Sequence, residues 1–158
     1  MYPTYLDGES LLIRRTKNVN RLDPVIVKSD LLEENLCKRV IGIEGDKVEI
    51  KNNKVYVNDE LLVEDYINGK MKDNVDINLT VDKDTVFVMG DNRNNSLDSR
   101  IIGTLGTDCI KGVVIFNLTR KLHYNRKIVF HVVCFSWIIV FIYLVSKYLL
   151  KYLKKEKK

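Results

Sequence analysis

Short stretches of alternating apolar and polar residues recur along the chain before residue 120. The clearest is Lys47–Asp59, KVEIKNNKVYVND, in which valine and isoleucine alternate with charged residues on both sides of Asn52–Asn53. Such alternation is typical of a strand with one buried face, and asparagine tolerates the positive φ of a tight turn. The stretch therefore predicts a β-hairpin that turns at the asparagine pair.

Further strand candidates, each bounded by polar turn residues, are Ser10–Arg15, Pro24–Lys28, Leu36–Ile41, Thr85–Met89 and Lys111–Phe116. Helical periodicity is weak before residue 128. Residues 64–84 are polar and poorly patterned, which predicts an exposed connection between strands. Many short strands separated by turns predict a mainly β, barrel-like domain.

Residues 128–146, IVFHVVCFSWIIVFIYLVS, have a different pattern: they carry no formal charge apart from a protonated form of His131. Their length approaches the roughly 20 residues that a membrane-spanning helix needs. Lysine and arginine flank the segment on both sides, which favours a transmembrane helix over a buried helix of a soluble domain. The lysine-rich tail 147–158 predicts a cytoplasmic C-terminus and an extracytoplasmic folded body in a single-pass protein of the cell membrane.

The net charge of +5 is unevenly distributed. Residues 120–158, which include a basic linker at 120–127, hold ten Lys and Arg against Glu156 alone, whereas residues 1–119 hold sixteen against twenty Asp and Glu. The body is therefore mildly acidic. This argues against a nucleic-acid partner, since phosphate contacts need clustered Lys and Arg.

The three cysteines, Cys37, Cys109 and Cys134, show no metal-ligand spacing. A Cys37–Cys109 disulfide and free apolar thiols are both open readings. The cysteines therefore do not define the redox compartment.

Two segments contain candidate chemistry. Gly90–Arg100, GDNRNNSLDSR, follows an apolar strand candidate and consists of turn-forming and charged residues. Lys38 begins the other segment, Lys38–Asp46, and strand alternation places it on the face of Val40. A lysine on a strand is commonly solvated. If that face points inward, however, desolvation would lower the lysine pKa and leave an amine able to accept a proton from a hydroxyl nucleophile.

Three ordered motifs carry a resemblance: Met1-Tyr2-Pro3-Thr4, the KRVIGIEGD of Lys38–Asp46 and the Gly90–Arg100 segment. They resemble the conserved boxes of type I signal peptidases, the Ser/Lys enzymes that remove secretory signal peptides. Val57-Asn58 to Tyr66-Ile67 resembles the segment after the family's hairpin, and Lys111-Gly112 its last strand. The resemblance covers residues 1 to about 116 and implies a signal-peptidase-like β-sheet catalytic domain within 1–119.

The resemblance also implies site roles. Lys38 would be the general base, and Ser96 would hydrogen-bond its amine and orient it. Asp98 and Arg100 would form a supporting ion pair, and Asp91 and Arg93 would order the same loop. Substrate-binding positions would be Met1, Pro3 and Cys37. The implied reaction is endopeptidase acyl transfer on signal peptides of secreted preproteins at the lipid bilayer, with no metal or cofactor.

One departure from the family pattern concerns the nucleophile, which is the serine directly before Met-x-Pro-Thr in the boxes that the motifs resemble. We expect that a serine and an upstream anchor were trimmed at a start-site assignment on Met1. The alternative is an inactive paralogue that acts as a membrane-tethered signal-peptide-binding or partner module. A self-cleaving repressor with a related Ser/Lys domain is a further class, and the apolar segment 128–146 argues against it.

Overall fold

Strands dominate the part of the chain that the computed structural model describes, residues 1–29, 34–72, 74–120 and 136–137. They belong to the unit Met1–Asn117. In chain order the elements are β1 (Leu11–Arg14), β2 (Pro24–Ser29), β3 (Glu34–Ile43), β4 (Lys47–Lys51), β5 (Lys54–Val57), β6 (Glu60–Leu61), β7 (Ile77–Thr80), β8 (Thr85–Met89), α1 (Ser99–Ile102), β9 (Leu105–Gly106), a 3₁₀ turn (Thr107–Cys109) and β10 (Ile110–Asn117). The prediction of a mainly β domain is confirmed.

The strands form two antiparallel sheets. One has six strands in the order β1-β10-β2-β3-β8-β9, and the other has four in the order β6-β5-β4-β7. The predicted hairpin is the β4–β5 pair, and Asn52 and Asn53 turn it with φ of 49° and 60°. These angles are the left-handed values that a two-residue hairpin turn requires.

The expectation that residues 64–84 form only an exposed connection was wrong. Ile77–Thr80 forms β7, which pairs with β4 at the edge of the four-stranded sheet. Its four residues do alternate: Ile77 and Leu79 pack against the core while Asn78 and Thr80 are exposed. The strand is too short for that alternation to stand out from the polar residues around it.

Two apolar clusters lie on opposite faces of the six-stranded sheet. The first joins the sheets and contains Ile41, Val48, Ile50, Val55, Val57, Met71, Val81, Phe87 and Met89. The second contains Val19, Val25, Val27, Val40, Val86, Val88, Ile110 and Val113. Because β3 and β8 contribute alternate residues to both clusters, these central strands are buried on both faces.

The predicted membrane helix at 128–146 lies outside the described residues apart from Ser136 and Trp137, and it stays a prediction. The tail 147–158 and all of the linker 120–127 except Arg120 also lie outside them. Within the described part of the chain, no helix combines the length and the apolar character needed to cross a bilayer.

Candidate active site

Strand β3 places two neighbouring cations on opposite faces of the six-stranded sheet. Lys38, opposite Val25 on β2, lies on the face of Val40, whereas Arg39 lies on the face of Ile41. Both faces are covered, so Lys38 is only 9% and Arg39 only 8% exposed. A buried cation is costly unless it is neutralised or paired, so each of these residues needs a specific partner or a shifted pKa.

The loop that supplies these partners is Gly90–Arg100, which we call the box loop. It follows β8, whose Met89 pairs with Arg39, so the loop begins beside β3. A turn with Asn95 N bonded to Asn92 O (3.0 Å) reverses the chain, and Asp98 caps the amino end of α1. Ser99 Oγ accepts a bond from Val88 N at 2.9 Å, which fixes the end of the loop to β8.

Lys38 and Ser96 meet at the centre of this arrangement. The Nζ atom of Lys38 donates to Ser96 Oγ at 2.8 Å. Burial lowers the pKa of Lys38 below the ordinary lysine range, although the charge of Asp98 opposes that shift. A lysine with a lowered pKa is more often neutral and can accept a proton from a hydroxyl group.

A cavity of about 240 Å³ opens beside the Lys38 side chain. Its lining is mostly apolar and includes Leu36, Val88, Leu97, Ile102 and Leu105. Apolar walls keep water from the amine, which is the physical cause of its lowered pKa. In the described part of the chain, no three His, Cys, Asp or Glu side chains are grouped so that they could hold a metal ion.

Asp98 and Arg100 form a buried ion pair, and the charges of both act on Lys38. Arg100 Nε and one terminal nitrogen each lie 2.9 Å from a different oxygen of Asp98. The side chain of Arg100 is 3% exposed and that of Asp98 is 0% exposed. Burial opposes ionisation of Asp98, but the bonds from Arg100 and from Gly90 N outweigh it and hold the pKa of Asp98 below its usual range.

Asp91 binds a partner that we did not predict from the sequence. Arg39 donates to its two oxygens at 2.9 and 2.7 Å, and Thr4 Oγ1 also donates to it. The Arg39 guanidinium lies 4.1 Å from the ring centroid of Tyr66. The sequence signal that could have revealed this role is the adjacency of Lys38 and Arg39 in one strand, because alternation sends one of two neighbouring cations to each buried face.

Arg93 also has an unpredicted partner. It is 1% exposed, and its terminal nitrogens bind both oxygens of Glu64, one of them at 2.9 Å. Its Nε donates to Gly90 O at 3.2 Å. Asp91 and Arg93 therefore do not pair with each other; they connect the box loop to different parts of the domain.

The segment Met1–Thr4 is held near the box loop by the Thr4–Asp91 bond, and Met1 O accepts a bond from Tyr5 N at 3.0 Å. Pro3 follows a cis peptide bond. Burial raises the pKa of Cys37 to about 11, and the positive charge of the chain's amino group opposes this rise. Cys37 and Cys109 form no disulfide in the structure.

The site therefore has a buried lysine on a β-sheet scaffold, with its amine hydrogen-bonded to a serine of the box loop. The family model described as "Signal peptidase, peptidase S26" matches residues 1–119. The chain therefore belongs to the signal peptidase family S26, as the ordered motifs predicted.

Individual relatives agree with this assignment. Signal peptidase I of Bacillus amyloliquefaciens is 41% identical over 113 residues, which cover 63% of this chain and 58% of that protein. Signal peptidase I P of Bacillus subtilis subsp. natto is 37% identical over 140 residues, or 78% of this chain and 76% of that one. The crystal structure of a signal peptidase I from Enterococcus faecalis matches with a TM-score of 0.55 and 31% identity, covering 62% of this chain and 97% of the other.

Proposed function

We propose that this domain is the base-supplying part of a signal peptidase I, a serine endopeptidase that removes signal peptides from secreted preproteins. The observation that carries the proposal is the 2.8 Å bond between Lys38 Nζ and Ser96 Oγ at a lysine only 9% exposed. A lysine placed in this way is suited to proton transfer and not to surface solvation.

In the proposed reaction, a serine at the position before Met1 attacks the carbonyl carbon of the scissile peptide bond. Neutral Lys38 takes the hydroxyl proton, and the tetrahedral intermediate collapses to an acyl-enzyme as the amine of the mature protein leaves with that proton. Lys38 then removes a proton from water, which attacks the ester, and returns that proton to the serine oxygen as the carboxyl group of the signal peptide is released. Atoms and charges balance without a metal or a cofactor.

The remaining site residues have supporting roles in this proposal. Ser96 directs the Lys38 amine through the hydrogen bond between them, and the Asp98–Arg100 pair fixes the end of the box loop that carries Ser96. Met1, Pro3 and Cys37 border the substrate, which lies beside the cleft and pairs there as an added extended strand. The apolar segment 128–146 anchors the chain in the cell membrane with this domain on the extracytoplasmic side.

The test compares chains that carry Ser or Ala directly before Met1, each with and without Lys38→Ala, in cleavage of a purified preprotein. We expect cleavage by the chain with the added serine and a loss of about 10⁴-fold or more on Lys38→Ala. Sequencing the DNA upstream of the Met1 codon shows whether the native frame encodes that serine.

Two outcomes would overturn the catalytic proposal. One is a folded chain with the added serine that binds the preprotein without cutting it, which favours the inactive peptide-binding module. The other is cleavage that is insensitive to Lys38→Ala, which would show that a group other than Lys38 is the general base.

A further inference from the structure

Arg93 is a fully buried cation of the box loop that has no place in the proposed proton transfer. Its two terminal nitrogens are occupied by the carboxylate of Glu64, which is itself 11% exposed. Its remaining side-chain nitrogen, Nε, donates to Gly90 O. Since removing one partner of a buried ion pair leaves an uncompensated charge, the position of Arg93 depends on Glu64.

Both backbone polar groups of Gly90, its N–H and its carbonyl, form hydrogen bonds with side chains of the box loop. Its N–H donates to Asp98 Oδ2 at 2.9 Å, and its carbonyl accepts from Arg93 Nε at 3.2 Å. Ser96 fills the space where a side chain would stand: a Cβ on Gly90 would lie 2.2 Å from Ser96 Oγ and 3.7 Å from Lys38 Nζ. The orientation of the Gly90 peptide therefore determines where Ser96 can lie against Lys38.

Glu64 belongs to a separate segment, residues 64–72, which we call the strap. Further bonds join the strap to the box loop: Asn68 N donates to Asp91 O at 3.0 Å, and Lys72 N donates to Asn94 Oδ1 at 2.9 Å. Asn94 Nδ2 returns a bond to Lys70 O at 3.1 Å. The strap therefore contacts the box loop at several points, and the Glu64–Arg93 pair is the buried ionic one.

We propose that Glu64 is a positioning residue for the Lys38–Ser96 pair, acting through Arg93 and the carbonyl of Gly90. This inference rests on the proposed function. It adds a residue outside the three motifs, supplied by the strap that follows the β4–β5 hairpin. The site is then assembled from two parts of the fold: the six-stranded sheet supplies the base, and the connection between β6 and β7 of the four-stranded sheet supports its partner.

Glu64→Gln would affect the pKa of Lys38 in two ways, and these two effects have opposite signs. Loss of a negative charge alone would lower the pKa of Lys38, because one counter-charge to its ammonium form disappears. Loss of positioning would raise it, because displacement of the box loop admits water to an amine that burial keeps neutral. The charged and titratable groups that shift the pKa of Lys38 are Asp98, Cys37 and Arg100, and Glu64→Gln replaces none of them.

The experiment is a ¹⁵N NMR titration of Lys38 Nζ in the detergent-solubilised full chain, assigned with Lys38→Arg. We expect Glu64→Gln to move the Lys38 pKa upward, toward the ordinary lysine range. In the chain with the added serine, we expect it to lower kcat about tenfold or more with little change in KM. The control is Asp59→Asn, which removes the same charge from the exposed Lys47–Asp59 pair (2.6 Å) and should change neither readout.

An unchanged or lowered Lys38 pKa in folded Glu64→Gln would overturn the inference and leave the proposed function intact. An ordinary lysine pKa in the unmutated chain would instead overturn the proposed function. If Glu64→Gln does not fold by circular dichroism, Glu64→Asp replaces it. That variant keeps the charge but is too short to keep both bonds to Arg93, so the same upward shift is expected and its absence contradicts positioning.

Discussion

Ser96 occupies the space beside Gly90 that any other amino acid at position 90 would need for its side chain. A Cβ atom there would lie 2.2 Å from Ser96 Oγ, far inside van der Waals contact. Gly90 itself is buried at the point where β8 ends and the box loop begins. The lysine–serine contact therefore depends on the absence of a side chain as much as on the residues that are present.

Gly90→Ala should displace Ser96 from Lys38. We expect the chain with the added serine to lose about 100-fold in kcat, because small misplacements of catalytic groups have effects of this size. Overpacking should also lower the free energy of unfolding by about 1–3 kcal/mol in urea titration. In the control Gly90→Ala/Ser96→Gly, which makes room for the methyl group, stability should recover while activity does not. A double variant as unstable as the single one would contradict the steric cause.

Lys38→Met should stabilise the folded state by about 1 kcal/mol at neutral pH while abolishing cleavage, since it replaces a buried amine with an apolar side chain of similar length. The folded pKa of Lys38 is lowered, so between that value and the ordinary lysine pKa the unfolded chain binds the extra proton. Stability of the unmutated chain must therefore rise with pH across this window, and the variant should lack this rise.

The measurement is urea unfolding at a series of pH values from neutral to alkaline. The matched control Lys54→Met, at an exposed position on β5, should change stability by less than about 0.5 kcal/mol. If stability changed with pH in the same way in the unmutated chain and in Lys38→Met, the pKa of Lys38 would be the same in the folded and unfolded states. That result would contradict the prediction.

Asp98→Asn should destabilise the fold by about 3 kcal/mol at pH near 7, because the buried Arg100 loses its counter-charge. The folded pKa of Asp98 lies below its unfolded value, so the stability it contributes is complete above the unfolded pKa of about 3.9 and is lost as the pH falls through the folded pKa. The difference between the two chains in urea unfolding should therefore shrink on acidification below about pH 4. A difference that stays constant down to the folded pKa would contradict this account.

Arg39→Lys should cost about 2 kcal/mol in urea unfolding, although the charge is kept. Lysine cannot make the two-pronged bond to Asp91 or stack its planar group on Tyr66. Arg21 offers a matched comparison, because it also binds a single carboxylate, that of Asp46, with two nitrogens, but its side chain is 43% exposed. Arg21→Lys should cost less than about 1 kcal/mol. Equal losses for the two variants would argue that burial does not govern the strength of these pairs.

The strands and turns that depend on residues close in sequence could be predicted from the sequence. Alternation predicted the hairpin, the asparagine pair predicted its turn, and the polar turn residues on either side predicted the Thr85–Met89 strand, because each depends on residues close in sequence. Short β7 was missed because four residues give too little alternation to recognise. The partners of Arg39 and Arg93 were missed for another reason: Asp91 is 52 residues from Arg39, and Glu64 is 29 from Arg93. Such pairs form only when the sheets bring distant segments together.

The placement of Lys38 and Arg39 on opposite faces of β3 limits how this strand can change during evolution. Lys38 and Arg39 are adjacent, and each fits only the side of the sheet on which it lies. A deletion or insertion of one residue within β3, before Lys38, would shift the register of the strand by one residue. Lys38 and Arg39 would then exchange faces, so that a guanidinium would lie in the apolar cavity and an ammonium group would lie beside Asp91. Substitutions in this strand can be accepted one at a time, whereas changes of its length cannot. Lineages that keep this site should therefore vary in length in the turns on either side of β3 and not within it.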